Sequence, residues 1–129
     1  MKLNENIKNE LTLPSGMDEQ CIELFYVLNS IPDTETFECC CGHDEYVYSM
    51  WFKCRSIEVI SRLGRAVSPN YSDGKWEIVV DSTDTDPYGI FWLRTTEVLH
   101  GKALEESLEE LIDNIKWWFD DKFDEYFKH

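Results

Sequence analysis

The chain of 129 residues has the size of one ordinary domain and is long enough to bury a core without disulfide or metal support. Its 43% hydrophobic and 29% charged residues exclude both a disordered chain and a protein built from membrane spans. The net charge of −14 argues against direct binding to nucleic acid. It favours a basic protein partner, including one that itself binds nucleic acid.

The first 16 residues are polar and lack the hydrophobic stretch of a signal peptide. We expect them to form a loose arm before a single α+β domain over residues 17–129. Five cysteines, of which three are consecutive, suit reduced thiols better than a disulfide framework. The sequence therefore predicts a cytoplasmic protein.

Hydrophobic periodicity predicts a first helix over Met17–Asn29. A β-hairpin follows, with strands over Thr36–Cys41 and Tyr46–Cys54, because aromatic and β-branched residues flank a Gly-containing turn. Ser56 is a suitable N-cap for a second helix from Ile57 to about Ala66.

A second hairpin is predicted from strands over Lys75–Ser82 and Ile90–Thr96. The last segment, Lys102 to about Phe127, carries a long apolar stripe and predicts the longest helix. The order is thus helix–hairpin, helix–hairpin, long C-terminal helix. We expect an α+β fold with a four-stranded antiparallel sheet covered on one face by helices.

A short segment concentrates the side chains that zinc prefers, which are thiolates and imidazoles. Cys40 and His43 have the two-residue gap of a metal knuckle, and further ligands would come from neighbouring cysteines. The candidate zinc ligands are Cys39, Cys40, Cys41, His43 and Cys21. Two other interpretations remain open: buried core cysteines beside a turn histidine, or a nucleophilic Cys41 activated by His43.

Basic residues cluster in one part of this acidic chain. Arg62 and Arg65 are three residues apart on one predicted helix. Because guanidinium groups bind phosphates and carboxylates in pairs, such an island suits an anionic nucleotide whose base stacks on an aromatic ring. The candidate ligand-binding residues are Arg55, Arg62, Arg65, Arg94 and Trp51. The other interpretation is pairing of these arginines with the surplus acids of the same chain.

The C-terminal helix combines acidic residues with more aromatic side chains than one helix face buries alone. Aromatic residues dominate interface hot spots, so the segment predicts a partner-binding or homodimer surface with an acidic rim. The candidate partner-binding residues are Glu106, Glu109, Glu110, Asp113, Trp117, Asp120, Asp121 and Asp124. The other interpretation is that the aromatic residues only cover the sheet.

The run Leu28-Asn29-Ser30-Ile31-Pro32, with Thr36 and then Cys41-Gly42-His43, resembles small uncharacterised phage and prophage proteins. It is also distantly similar to the start of the wybutosine-pathway tRNA methyltransferase family, whose serines are replaced here by cysteines and whose arginine is replaced by His43. No catalytic residue carries over. The phage resemblance implies a small anti-defence protein, such as an anti-CRISPR inhibitor or a nucleotide sponge, in the host cytoplasm.

The sequence contains no phosphate-binding glycine loop, paired-carboxylate site or complete catalytic triad. Binding is therefore favoured over catalysis. The main hypothesis is a non-enzymatic inhibitor that binds a basic, nucleic-acid-handling host protein. The alternative is a small-molecule binder that sequesters an anionic nucleotide.

Overall fold

The structure, a computed structural model, describes residues 1–40, 45–85 and 87–127, with the backbone alone for residues 84 and 85. It confirms the α+β class. The helices and strands of the described residues are α1 (Ile7–Glu10), α2 (Glu19–Asn29), β1 (Thr34–Cys40), β2 (Ser49–Cys54), α3 (Ile57–Val67), β3 (Trp76–Thr85), β4 (Tyr88–Thr95) and α4 (Gly101–Trp118), followed by a 3₁₀ helix (Asp121–Phe123).

The four strands form one antiparallel sheet in the order β1-β2-β4-β3. The hairpins β1–β2 and β3–β4 are those that the sequence predicts, and they join through the central pair β2–β4. Along β2, and along β4 from Phe91 to Thr95, every second residue is buried. This alternation means that helices cover one face of the sheet while the other faces solvent.

The core lies between the helices and the covered face of the sheet. The apolar stripes of α2, α3 and α4 supply one side of it, and the side chain of Ser56 caps α3 by accepting from the Val59 N–H at 3.2 Å. None of the helices in the described ranges has the length and apolar character needed to cross a membrane. The largest fully buried side chains include Tyr48, Phe52, Leu24, Leu28, Leu93, Leu104 and Ile115.

The long C-terminal helix ends at Trp118, earlier than the predicted Phe127. Two side chains account for this ending. Arg62 Nη1 donates to the carbonyl oxygens of Trp118 at 2.9 Å and Asp120 at 3.3 Å, which satisfies acceptors near the helix end. Asp120 is extended and its carboxylate accepts from the Lys122 N–H, which starts the 3₁₀ helix. The chain then turns back and buries Phe127.

Residues 1–16 are packed, although the sequence suggests a loose arm. The Asn4 N–H donates to the carbonyl oxygen of Ser30 at 2.8 Å, and α1 lies within this segment. Apolar side chains spaced along otherwise polar sequence explain the packing, because each reaches the core while its neighbours stay in water. Those that pack against the core are Met1, Leu3, Leu11 and Leu13.

Candidate protein-binding surfaces

A groove of about 590 Å³ lies between α2 and α4. Its floor is apolar and contains Leu24, Leu108 and Ile112, of which Ile112 is partly exposed. Its carboxylate-bearing residues are Glu19, Glu23, Glu105, Glu109 and Asp113. An apolar floor with acidic sides suits an amphipathic basic ligand, because each part of that ligand finds its complement.

The sequence of α4 explains one side of the groove. Glu105, Glu109 and Asp113 are spaced by four residues, so they form one row along the helix. Leu108 and Ile112 form the neighbouring row, which lies nearer to the core. On α2, Glu19 and Glu23 repeat the same four-residue spacing and supply the opposite side.

The groove continues past the end of α4 into a second cavity of about 730 Å³. The two cavities share Glu23 and Lys116, and the second is also lined by residues of the N-terminal segment. Charges there are mixed, since Lys8 pairs with Glu23 at 3.0 Å and Lys2 with Asp121 at 3.6 Å. The concentration of acids is therefore a property of the part between α2 and α4.

The predicted partner-binding residues of α4 divide between two sides of the helix. Glu109 and Asp113 line the groove, whereas Glu106 and Glu110 lie outside the set that lines it. Glu110 approaches Asp73 of the loop after α3. Burial, and then the charge of Asp73 and a hydrogen bond with it, raise the pKa of Glu110 above its ordinary value.

The predicted residues beyond α4 mostly make contacts within the chain. Asp124 accepts from Arg62 Nη2 at 2.6 Å and from the amino group of Met1, which also pairs with Asp121 at 3.1 Å. The hydrogen bonds from the Met1 amino group and from Arg62 hold the pKa of Asp124 below its ordinary value. These two carboxylates therefore hold the chain termini together.

Trp117 remains accessible near the end of α4, with 55% of its surface exposed. The ammonium group of Lys122 lies 3.2 Å from its ring centroid, so one face of the indole already contacts a cation. The neighbouring Trp118 points inward and is buried. Of this pair, Trp117 is the residue that a partner can reach.

The four arginines of the predicted island lie in three separate places. Arg62 is fully buried and pairs with Asp124, and its Nε is the one fully buried side-chain nitrogen or oxygen of the described residues without a hydrogen-bond partner. Arg65 lies over the rings of Tyr71 and Tyr126. Residues three apart on a helix can diverge in this way when one lies at the edge of the buried stripe.

The other two arginines are paired with acids in the sheet region. Arg55 pairs with Asp33 at 2.8 Å beyond the end of β2. Arg94 lies on the face of the sheet that the helices do not cover (the open face), on the strand beside Trp51. Of the five residues predicted to bind an anionic ligand, Arg94 and Trp51 are the two that lie on the same surface.

The open face of the sheet carries a row of aromatic rings that runs across the strands. Trp51 stands directly opposite Trp92, and their ring centroids are 4.1 Å apart at an interplanar angle of 27°. Phe37 meets Trp51 edge-to-face at 6.1 Å. The guanidinium of Arg94 lies 5.4 Å from the centroid of Trp92 and pairs with Glu77 at 2.8 Å.

Sequence reasoning identified Trp51 but not its neighbours. Side chains alternate between the two faces along β4, so Trp92 points away from the face that buries Phe91 and Leu93. This alternation in the sequence could have identified Trp92. Phe37 lies at the register shift between Thr36 and Glu38, where a bulge puts an extra residue into β1.

The structure describes three of the five candidate zinc ligands, while Cys41 and His43 lie outside the described residues. Cys21 and Cys39 meet on the covered face, whereas Cys40 pairs with Ser49 and so points to the other face. Burial raises the pKa of Cys39 more than its hydrogen bond with Cys21 lowers it. Among the described residues no three potential ligands cluster, and zinc binding stays a prediction that elemental analysis checks.

Comparison of the chain with protein-family models, with curated proteins and with solved structures finds no match.

Proposed function

We propose that this chain is a non-enzymatic binding protein whose α2–α4 groove docks a basic amphipathic helix of a partner protein. The observation that supports this proposal is the arrangement of five carboxylates around an apolar floor. Catalysis would need converging reactive groups, whereas this groove offers the two features of a peptide-docking site, hydrophobic anchoring and charge.

The dimensions of the groove suit a helix of about three turns. Its α4 side extends from Glu105 to Lys116, which corresponds to about 16 Å at the rise of an α-helix. Apolar residues of the partner at helical spacing would contact Ile112 and Leu108. Lysines or arginines on the flanks of the same helix would face the carboxylates of Glu105, Glu109 and Glu19.

The net charge of the chain supports a basic partner at longer range. A charge of −14 attracts a basic protein and speeds its encounter, and it repels nucleic acid. Proteins that bind nucleic acid carry basic helices for contact with phosphates, and the acidic groove would compete for the same side chains. With the resemblance to phage proteins, this supports an inhibitor of a host nucleic-acid-handling defence protein that acts in the host cytoplasm.

The proposal is tested by fluorescence anisotropy with a labelled basic amphipathic peptide of about three helical turns, at two salt concentrations. We expect saturable binding that weakens as salt rises, because the acidic sides are solvent-exposed. The double variant Glu105→Gln/Glu109→Gln should weaken binding about tenfold, which equals about 1.4 kcal/mol. The matched double variant Glu106→Gln/Glu110→Gln also neutralises two glutamates, both outside the groove, and should change affinity less than threefold.

A peptide of the same composition with scrambled apolar positions separates docking from bulk electrostatic attraction. It should bind at least about tenfold more weakly, since it cannot place its apolar residues on the floor. Equal affinity for both peptides, or equal losses in the groove variant and in Glu106→Gln/Glu110→Gln, would show that net charge alone attracts the peptide.

A further inference from the structure

The open face of the sheet contains two similar aromatic positions that differ in one respect. On one side of the tryptophan stack, Trp92 has a guanidinium over its ring, and this guanidinium is paired with a carboxylate, Glu77. On the other side, Trp51 has Phe37 against it, and Glu38 stands directly opposite it in the strand register. The second position thus offers aromatic rings and a carboxylate but no cation of its own: among the described residues, no lysine or arginine lies over Trp51 or Phe37.

At this second position the rings of Trp51 and Phe37 meet at an angle and form a corner. Phe37 has 51% of its surface exposed, and its ring is inclined at 72° to that of Trp51. Two inclined rings present a face and an edge to the same region, and a nearby carboxylate supplies negative charge. This combination binds cations, because ring faces and carboxylates both attract positive charge.

The charges of the open face also favour a cationic ligand. Among the described residues of this face, carboxylates outnumber basic residues. Both of these basic residues are paired: Lys53 with Glu35 at 3.5 Å and Arg94 with Glu77 at 2.8 Å. Asp81 adds another carboxylate and accepts from the indole N–H of Trp92 at 3.2 Å. An anionic ligand would meet surplus negative charge here, and a base would find the inner faces of both indoles already stacked on each other.

A second copy of the chain is a less suitable occupant of this face. Four strands of six to ten residues, at a spacing of about 4.8 Å, give a face of about 500 Å². A stable interface buries about 800 Å² on each partner, so the face alone does not hold a dimer. A smaller ligand, such as a segment of a basic protein, matches the available surface.

We propose that the corner formed by Trp51, Phe37 and Glu38 binds an arginine side chain of a basic protein segment. The planar guanidinium would lie on the exposed aromatic surface while it donates to the Glu38 carboxylate, which repeats the arrangement of Arg94 with Trp92 and Glu77 in the same sheet. Arginine suits the corner better than lysine because its flat group makes both contacts at once. The proposal stands independently of the α2–α4 groove.

The test uses the indole N–H resonances of the full chain in nuclear magnetic resonance spectra. The probe is a short capped peptide that alternates arginine and serine, and the matched probe replaces each arginine by uncharged, isosteric citrulline. We expect the arginine peptide to shift the Trp51 resonance in a saturable way that weakens with salt, and the citrulline peptide to leave it unchanged. The Trp51 resonance is assigned by its loss in Trp51→Phe.

Two variants separate the corner from the rest of the acidic surface. Glu38→Gln should weaken the response at least threefold without changing the fold, and Glu106→Gln should not weaken it. The groove variant Glu105→Gln/Glu109→Gln should leave the Trp51 response intact.

Three outcomes would overturn this proposal: an equal response to the citrulline peptide, a response confined to Trp117, or loss of the Trp51 response in the groove variant. None of them would contradict the proposed function of the α2–α4 groove. A fourth would replace it with the anionic-ligand alternative, namely that adenosine monophosphate shifts the Trp51 resonance and the arginine peptide does not.

Discussion

Two neighbouring residues of β2 show how differently the two faces of the sheet use aromatic side chains. Phe52 points to the helices, is fully buried and stacks on Phe91 of β4 at 5.6 Å. Trp51 points to the open side and stacks on Trp92, which also lies on β4, at 4.1 Å. It remains partly exposed. Both pairs are directly opposite in the same register, so the helices make the difference. The covered pair stabilises the fold, and the open pair forms a surface.

The largest expected effect is a difference in stability between these two positions. Phe52→Ala should lower the free energy of unfolding by about 3–5 kcal/mol, because it leaves a cavity in the core. Trp51→Leu should cost about 1 kcal/mol, since it removes a cross-strand ring contact at a partly exposed site. Denaturant unfolding of both variants measures the difference. Similar losses would mean that the open face contributes to the core of the fold.

Arginines on the two sides of the molecule allow a second comparison. Arg62→Ala should cost about 3 kcal/mol, because it removes a fully buried side chain and leaves the carbonyl groups at the end of α4 without their donor. Arg94→Ala removes an ion pair on the open face and should cost about 0.2–1 kcal/mol. Denaturant unfolding measures both losses. Equal losses would contradict the assignment of Arg62 to stability and of Arg94 to a surface.

The carboxylates of Asp124 and Glu110 should have smaller effects on stability, with opposite dependence on pH. Because the folded-state pKa of Asp124 is lowered, its contribution is present above the ordinary value of about 4 and is lost as pH falls through the lower value. The pKa of Glu110 is raised, so its contribution is present below its ordinary value and is lost as pH rises through the raised value. Asp124→Asn should therefore melt below the parent chain at neutral pH, and Glu110→Gln above it.

Melting temperatures recorded from about pH 3 to pH 7 check both signs. Each difference from the parent chain should narrow towards the acid end, as the parent carboxylates begin to take up protons. A destabilised Glu110→Gln at neutral pH would show that the contact with Asp73 is favourable in its charged form.

The sequence was sufficient for elements whose periodicity is local. Leucines at helical spacing predicted α4, and alternating residues predicted β2 and the hairpins. The end of α4 was not predictable in this way, because Arg62 of α3 and the cap at Asp120 fix it from outside the apolar stripe. The burial of Arg62 likewise depends on how closely α3 packs against the C-terminal segment.

The candidate surfaces were predictable only in part, for the same reason. Glu109 and Asp113 of α4 were identified from composition, but Glu19 and Glu23 joined them only once α2 was placed beside α4. Trp92 joined Trp51 through the pairing of β2 with β4, strands that are not consecutive in sequence. Contacts between distant elements create both surfaces, and no local pattern encodes them.

The most direct test of the proposed function is where a basic amphipathic peptide binds. Spectra of the protein with labelled isoleucine methyl groups, recorded during titration with the peptide, compare Ile112 in the groove with Ile90 on the open face. The proposal predicts a large, saturable shift at Ile112, reduced in Glu105→Gln/Glu109→Gln, and little change at Ile90. Shifts confined to Ile90, or no shift at Ile112 when the peptide is bound, would contradict it.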